Sequence, residues 1–286
     1  MFRNVKFGAP GYILLKDMSE DMLGTLKKIA ALGYDGIEIT GFFGHTAAQI
    51  KACCQKAGVE PFGCFVRLTE LAGEKEPPRE KGNWNVYETA FDIPGKTSEE
   101  KMQYIKAIGC QYVGLLVPNG LMDETITEKI NKVSALARRF GMRLQYHNHD
   151  YEFNNVVNGQ RRMDFIMENT NSDVLFEPDL GWLEIGGANC EKYLHKYADR
   201  IEIVHLKDYY RISDDIEQPF VFRPTGYGVV DWARLLPLCE EIIKPAWYTL
   251  DHDKAYDGDI YEELSMSLDF VKKMLHFSSR DKEVKI

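Results

Sequence analysis

The chain has 286 residues, of which 44% are hydrophobic and 28% charged, as in an ordinary soluble globular protein. Its 44 Asp plus Glu against 35 Lys plus Arg give a formal net charge of −9. That charge is poorly suited to a phosphate backbone, so no nucleic-acid partner is expected. No apolar run approaches the roughly 18 residues of a membrane span, and Met1-Phe2-Arg3-Asn4-Val5-Lys6 lacks the apolar core of a signal segment. The six cysteines contain no C-x-x-C pair, so reduced thiols, a cytoplasmic location and no membrane association are expected.

In chain order, short apolar runs alternate with amphipathic stretches. Strands are predicted at 5–8, 35–39, 59–66, 112–117, 143–147, 174–176, 201–205 and 247–250. The first helix is predicted over 17–32, where Met22, Leu23, Leu26, Ile29 and Ala30 recur at helical spacing before Gly33. Further helices are predicted over 98–108, 125–140 and 261–275. Glycines at 33, 58, 109 and 141 mark helix-to-strand joints. The irregular stretch 71–96, with Pro77-Pro78, Trp84 and Tyr87, reads as an active-site lid or a solvated insertion, its aromatics slightly favouring the lid. The polar tail 279–286 is expected to fray.

About eight strand–helix units in strict alternation call for a parallel sheet. Over this length they suit a single (β/α)8 TIM barrel spanning residues 1–286. An open doubly wound sheet is the alternative. Gly8-Ala9-Pro10-Gly11 after the first strand is not its G-x-G-x-x-G loop.

In a barrel the C-terminal strand ends converge on one face, and active sites sit there. The fifth strand ends in His147-Asn148-His149-Asp150, and the sixth runs into Glu177-Pro178-Asp179. The seventh ends in His205-Leu206-Lys207-Asp208, and the eighth in Asp251-His252-Asp253. Four of the seven histidines, His147, His149, His205 and His252, fall at these ends. Alternation puts His147 and His149 on one face. The expected metal ligands are His147, Asp179, His205 and Asp251, with Glu177 and Asp253 as competitors for the sixth-strand and eighth-strand places. Two imidazoles and two carboxylates suit Mn, Co, Zn or Fe better than Ca.

Lys207 is expected to point into the same mouth and hold a substrate oxygen, or else to pair with Asp208 or Asp150. Arg211, and less directly Arg223, are candidates for reaching the substrate. Trp182 and Trp84 are candidates for an apolar wall against a sugar ring, and Glu177 for a substrate contact. Gly226-Tyr227-Gly228 before Asp231-Trp232 reads as a turn whose amides could meet an anion.

Taken in order, Tyr146-His147-Asn148-His149-Asp150, Asp179-Leu180-Gly181-Trp182, Val204-His205-Leu206-Lys207-Asp208 and Gly226-Tyr227-Gly228-Val229-Val230-Asp231-Trp232 resemble the sugar phosphate isomerase/epimerase superfamily. This is the xylose isomerase-like TIM barrel group, and the resemblance covers nearly the whole chain. It implies a divalent metal (Mn, Co, Zn or Mg, Mn favoured) held by His147, Asp179, His205 and Asp251. Ketose epimerases of the group carry Glu at the positions of His147 and Asp251, where the two glutamates also shuttle the proton. The Tyr-His-x-His form looks more like the inosose dehydratase branch.

The activity implied is proton abstraction next to a carbonyl of a sugar or keto-polyol, by a metal-dependent isomerase or epimerase. His149 is the first candidate base, Asp251 and Glu177 are alternatives, and Lys207 assists the oxyanion. An inosose dehydratase-like lyase is the alternative, and a non-catalytic sugar-binding barrel a second one. Dimers are common among such barrels, so a homodimer is the assembly expected.

Overall fold

The computed structural model describes residues 5–73, 91–117, 125–213, 219–256 and 258–283. The first half runs β1 (Lys6–Pro10), α1 (Leu15–Leu32), β2 (Gly36–Ile39), α2 (Ala47–Ala57), β3 (Glu60–Arg67), α3 (Leu68–Ala72), α4 (Ser98–Ile108), β4 (Tyr112–Leu116) and α5 (Ile126–Arg139). Next come β5 (Arg143–His147), α6 (Tyr151–Asn154), a small hairpin of β6 (Val156–Val157) and β7 (Gln160–Arg161), α7 (Arg162–Asn169) and β8 (Leu175–Glu177). The rest is α8 (Leu180–Ile185), α9 (Cys190–Tyr197), β9 (Ile203–Arg211), β10 (Phe220–Arg223), α10 (Trp232–Leu238), β11 (Trp247–Asp251) and α11 (Ile260–Glu283).

The main sheet has the order β10-β9-β11-β1-β2-β3-β4-β5-β8, parallel throughout except that β10 lies antiparallel on β9. It curls into a TIM barrel. The ends meet through backbone bridges between Phe176 and Ile201 and between Asp179 and His205, and His205 N donates to Pro178 O at 2.8 Å. Local sequence explains the helix starts. Thr46 with Gln49, and Thr97 with Glu100, close capping boxes on α2 and α4. Gly33 ends α1 at φ 95°, a conformation a side chain would resist.

The register sorts the barrel interior into layers. Trp247, Thr249 and Asp251 of β11 lie beside Ile203, His205 and Lys207 of β9. Because side chains alternate, Val204, Leu206, Tyr248 and Leu250 face the helices and join the main core. The inward set climbs from apolar to charged. At the bottom Phe62, Tyr112, Leu175, Ile203 and Trp247 form a separate apolar plug, with Phe62 and Trp247 stacked at 4.1 Å. Above the plug come Glu38, Gln145, Glu177, His205 and Thr249, all buried. Burying so much polarity is tolerable only where the groups pair with one another or with a ligand.

Several expectations change here. Strand seven does not stop at His205; β9 continues to Arg211 and forms a hairpin with β10, which sequence patterning missed. The helix α11 continues to Glu283 where a frayed polar tail was expected. The expected lid or insertion lies largely outside the described residues, and Trp84 and Tyr87 lie outside them altogether. All six cysteines are free thiols. Among the described residues no helix is long and apolar enough to cross a membrane.

Candidate active site

One ligand atom each from His147, Asp179, His205 and Asp251 lie within 4.8 Å of one another, and all four residues are buried. Four successive barrel strands, or the loops just after them, deliver these groups. The approach of α8 to β9 depends on a glycine. A Cβ at Gly181 would stand 2.3 Å from the Lys207 carbonyl oxygen. Asp179 caps α8 through a hydrogen bond from Trp182 N at 2.9 Å, so the N-cap role and a place in the cluster coexist. Asn148 holds the same residue from the side. Its amide donates to Asp179 O at 3.2 Å and its Oδ1 accepts from Asp179 N at 3.0 Å. That clamp continues the β5–β8 pairing one step beyond the strands.

His205 is gripped at both ring nitrogens. Nδ1 lies 3.1 Å from Asp251 Oδ2, and Nε2 lies 3.0 Å from Glu38 Oε2 and 3.3 Å from Glu177 Oε1. Burial would lower the His205 pKa, but Glu177 and the bonds to Asp251 and Glu38 outweigh it and hold the pKa well above normal. Glu177 is pushed the other way. Burial and then the neighbouring Glu38 raise its carboxyl well above the usual range. Glu177 therefore sits beneath the cluster among His205, Gln145 and His147, fully buried, rather than at the mouth. Glu38, from β2, is the site residue that the sequence survey missed.

Lys207 occupies the middle of the upper layer. Its ammonium lies 2.8 Å from Asp253, 3.2 Å from Asp251 and 3.5 Å from Asp179, and Lys207 is only 1% exposed. Burial alone would push it down, but Asp251, Asp253 and Asp179 together hold the ammonium above its usual value. Conversely, Lys207 and His205 overcome burial and hold Asp251 well below the carboxylate range, whereas burial lifts Asp179 up to about 7. The partners of Lys207 are thus the cluster carboxylates, in place of the expected Asp208 or Asp150.

Aromatic rings close the rim. Trp182 and Phe222 lie 5.4 and 5.0 Å from the Lys207 ammonium. Trp182 also stands 5.7 Å from the His149 ring, and Phe220 and Phe222 pack edge-on against it. Below them, Phe65 meets His147 and His205 edge-on at 5.1 and 5.9 Å. His149 stands 5.3 Å from the His147 ring, half-buried, and burial followed by the Lys207 charge holds its pKa well below normal. It is therefore neutral near pH 7.

Other candidates lie elsewhere. Arg211 is exposed at the far end of β9, four residues beyond Lys207. Arg223 stacks on Tyr256 at 3.8 Å. The side chain of His252 faces outward, with Nε2 3.1 Å from Glu263 of α11, as alternation after Asp251 requires. The turn amides of Gly226 and Gly228 are already occupied. They donate to Asp208 Oδ2 at 2.9 and 3.0 Å, and Trp232 Nε1 joins them at 2.8 Å. The turn's amides are thus satisfied by the chain's own Asp208 carboxylate, which ties the site strand to α10.

The residues fit a divalent cation. Asp179 Oδ2 and His147 Nδ1 are buried without a hydrogen-bond partner. With His205 and Asp251 they offer two imidazoles and two carboxylates whose ligand atoms lie within 4.8 Å of one another, a donor set that suits a borderline divalent cation.

Comparison with known proteins agrees with this architecture. The family model described as xylose isomerase-like TIM barrel matches residues 26–264. An inosose dehydratase of Geobacillus kaustophilus is 24% identical over 204 residues, which span 64% of this chain and 60% of that protein. The match thus covers less than two thirds of the relative's length. A sugar phosphate isomerase/epimerase structure from Parabacteroides distasonis superposes with a TM-score of 0.69 at 20% identity, covering 94% of this chain and 93% of that one. A xylose isomerase-like TIM barrel protein from Mycobacterium smegmatis, determined in complex with magnesium, gives 0.62 at 14% identity, covering 96% and 98%. With 239 consecutive residues matched by the family model, the chain belongs to the xylose isomerase-like TIM barrel family.

Proposed function

We propose that this chain is a metal-assisted enzyme that removes a proton next to a carbonyl of a sugar or keto-polyol, with isomerisation as its outcome. The observation carrying this is the buried convergence of His147, Asp179, His205 and Asp251 beside the neutral imidazole of His149. His147, Asp179, His205 and Asp251 would hold the cation, with Mn favoured. When bound, the cation would supply Lewis-acid polarisation of the carbonyl. His149 takes the α-proton, an acid–base contribution worth about 10²–10⁴ in rate. Lys207, anchored on Asp253, faces the developing oxyanion, and Trp182 with Phe222 covers an apolar sugar face. One base suffices for isomerisation, because the same imidazole can return the proton to the neighbouring carbon.

Epimerisation by two opposed carboxylates is poorly served. The place of one glutamate is His147, and the Asp251 carboxylate is already engaged by the Lys207 ammonium at 3.2 Å and by His205 Nδ1 at 3.1 Å. Dehydration is the second reading. It needs one base and one acid for the departing hydroxyl, and His149 with Lys207 supplies that pair; the similarity to an inosose dehydratase points the same way.

The test is solvent deuterium entering the α-carbon of inosose or a ketohexose. Exchange is expected to vanish after chelation and return with Mn²⁺. Undiminished exchange in metal-free protein refutes the proposal. An isomeric product supports isomerisation, and loss of water from the product supports the second reading.

A further inference from the structure

Which nitrogen of His149 carries the proton decides whether this imidazole can act as a base toward the site. The surrounding hydrogen bonds settle it. Tyr151, the first residue of α6, has one hydroxyl proton. Its Oη lies 2.9 Å from the Val117 carbonyl oxygen, which can only accept. The same Oη lies 3.0 Å from His149 Nδ1. With its proton committed to Val117, the Tyr151 oxygen must accept, so Nδ1 must be the donor. The chain of bonds runs from His149 Nδ1–H to Tyr151 O–H to the Val117 carbonyl. The lone pair is therefore on Nε2.

Four further contacts hold the arrangement. The Tyr151 ring lies parallel to the His149 imidazole, 10° between planes at 5.1 Å, so the ring cannot tip away freely. His149 N donates to Glu152 Oε2 at 2.8 Å, and Tyr146 donates to the other oxygen of the same buried carboxyl at 2.8 Å. Backbone and ring are thus fixed from different sides. On the opposite flank stands Trp182 at 5.7 Å.

We propose that Tyr151 is a positioning residue that locks His149 in the Nδ1–H tautomer, presenting the Nε2 lone pair as the proton acceptor of the site. The inference rests on the assignment of His149 as base, but its first test does not. Nothing in the proposal needs the substrate's identity. The relay requires only a phenol oxygen that passes its own proton to the main chain and receives another from the ring.

Protein labelled with ¹⁵N-histidine reports the tautomer directly, because a protonated and an unprotonated imidazole nitrogen resonate far apart. At neutral pH the His149 signal, assigned by its loss in His149→Gln, should show a protonated Nδ1 and a bare Nε2. Tyr151→Phe removes the acceptor, and Nε2–H should then become populated. Deuterium entry into inosose should fall about 10–100-fold in kcat, the usual cost of losing an orienting partner, with KM changed less than twofold. A wild-type His149 protonated at Nε2 overturns the proposal without any variant. An unaltered tautomer in folded Tyr151→Phe also overturns it. If Tyr151→Phe switches the tautomer while exchange stays unchanged, Tyr151 keeps its positioning role and the assignment of His149 as base fails.

Discussion

Replacing Lys207 with methionine removes the cation that sits among the cluster carboxylates while preserving most of the side chain's volume. The ammonium is 3.2 Å from Asp251 and 3.5 Å from Asp179. At an effective dielectric of about 20, each contact is worth about 5 kcal/mol before desolvation is counted. Net of desolvation, stripping one partner from a buried ion pair costs about 3–5 kcal/mol. The lower end applies because Asp253, the nearest partner, is partly exposed and keeps some solvation. The metal-free Lys207→Met protein should therefore be less stable by about 3 kcal/mol. A divalent cation held by Asp179 and Asp251 neutralises the same charge. By linkage, the missing stability should reappear as binding, making Mn²⁺ about 10²-fold tighter in Lys207→Met than in wild type. Isothermal titration of chelator-stripped proteins, with urea midpoints measured alongside, reads both quantities. Equal or weaker Mn²⁺ affinity in a folded Lys207→Met protein would refute the idea that ammonium and cation compensate the same carboxylates.

Two other outcomes follow from the same geometry. Glu38→Gln weakens the grip on His205 Nε2 from beneath, and Mn²⁺ affinity should fall about 10–100-fold; unchanged affinity would remove Glu38 from the site. Burial pushes the Glu152 carboxyl up to about 8, so the folded state holds its proton more tightly than the unfolded chain does. Its contribution is fully present below about pH 4.5 and lost as pH rises through about 8, a difference of roughly a few kcal/mol. Glu152→Gln, which stays neutral, should flatten urea stability between pH 5 and 8; an unchanged slope would show that the pH dependence arises elsewhere.

The strand ends were legible in the sequence because two-residue alternation and strand-terminal polarity are local signals. Those signals point to His147, Asp179, His205 and Asp251, whose side chains the barrel brings together. Glu38 was not legible. It lies in a short strand, Gly36–Ile39, where one acid among apolar residues looks like an ordinary solvent-facing position. Its partner His205 is 167 residues away, and only barrel closure brings the two together. His252 shows the opposite error. Proximity to Asp251 suggested membership of the site, yet period-two alternation already sends neighbouring side chains to opposite faces. The β9–β10 hairpin was missed because Phe220–Arg223 is too short to stand out as a strand. The turn at Gly226–Gly228 exposed amides to a sequence reader, but the acceptor that fills it lies some twenty residues earlier.

The joint between β8 and β9 is where the sheet is thinnest: among the described residues these strands meet through isolated bridges rather than a continuous ladder. One of those bridges joins Asp179 to His205, two members of the cluster. Whatever is gripped by those two residues also works as a clasp on the barrel wall. A ligand held by both residues would add a link between β8 and β9 where the backbone ladder is interrupted.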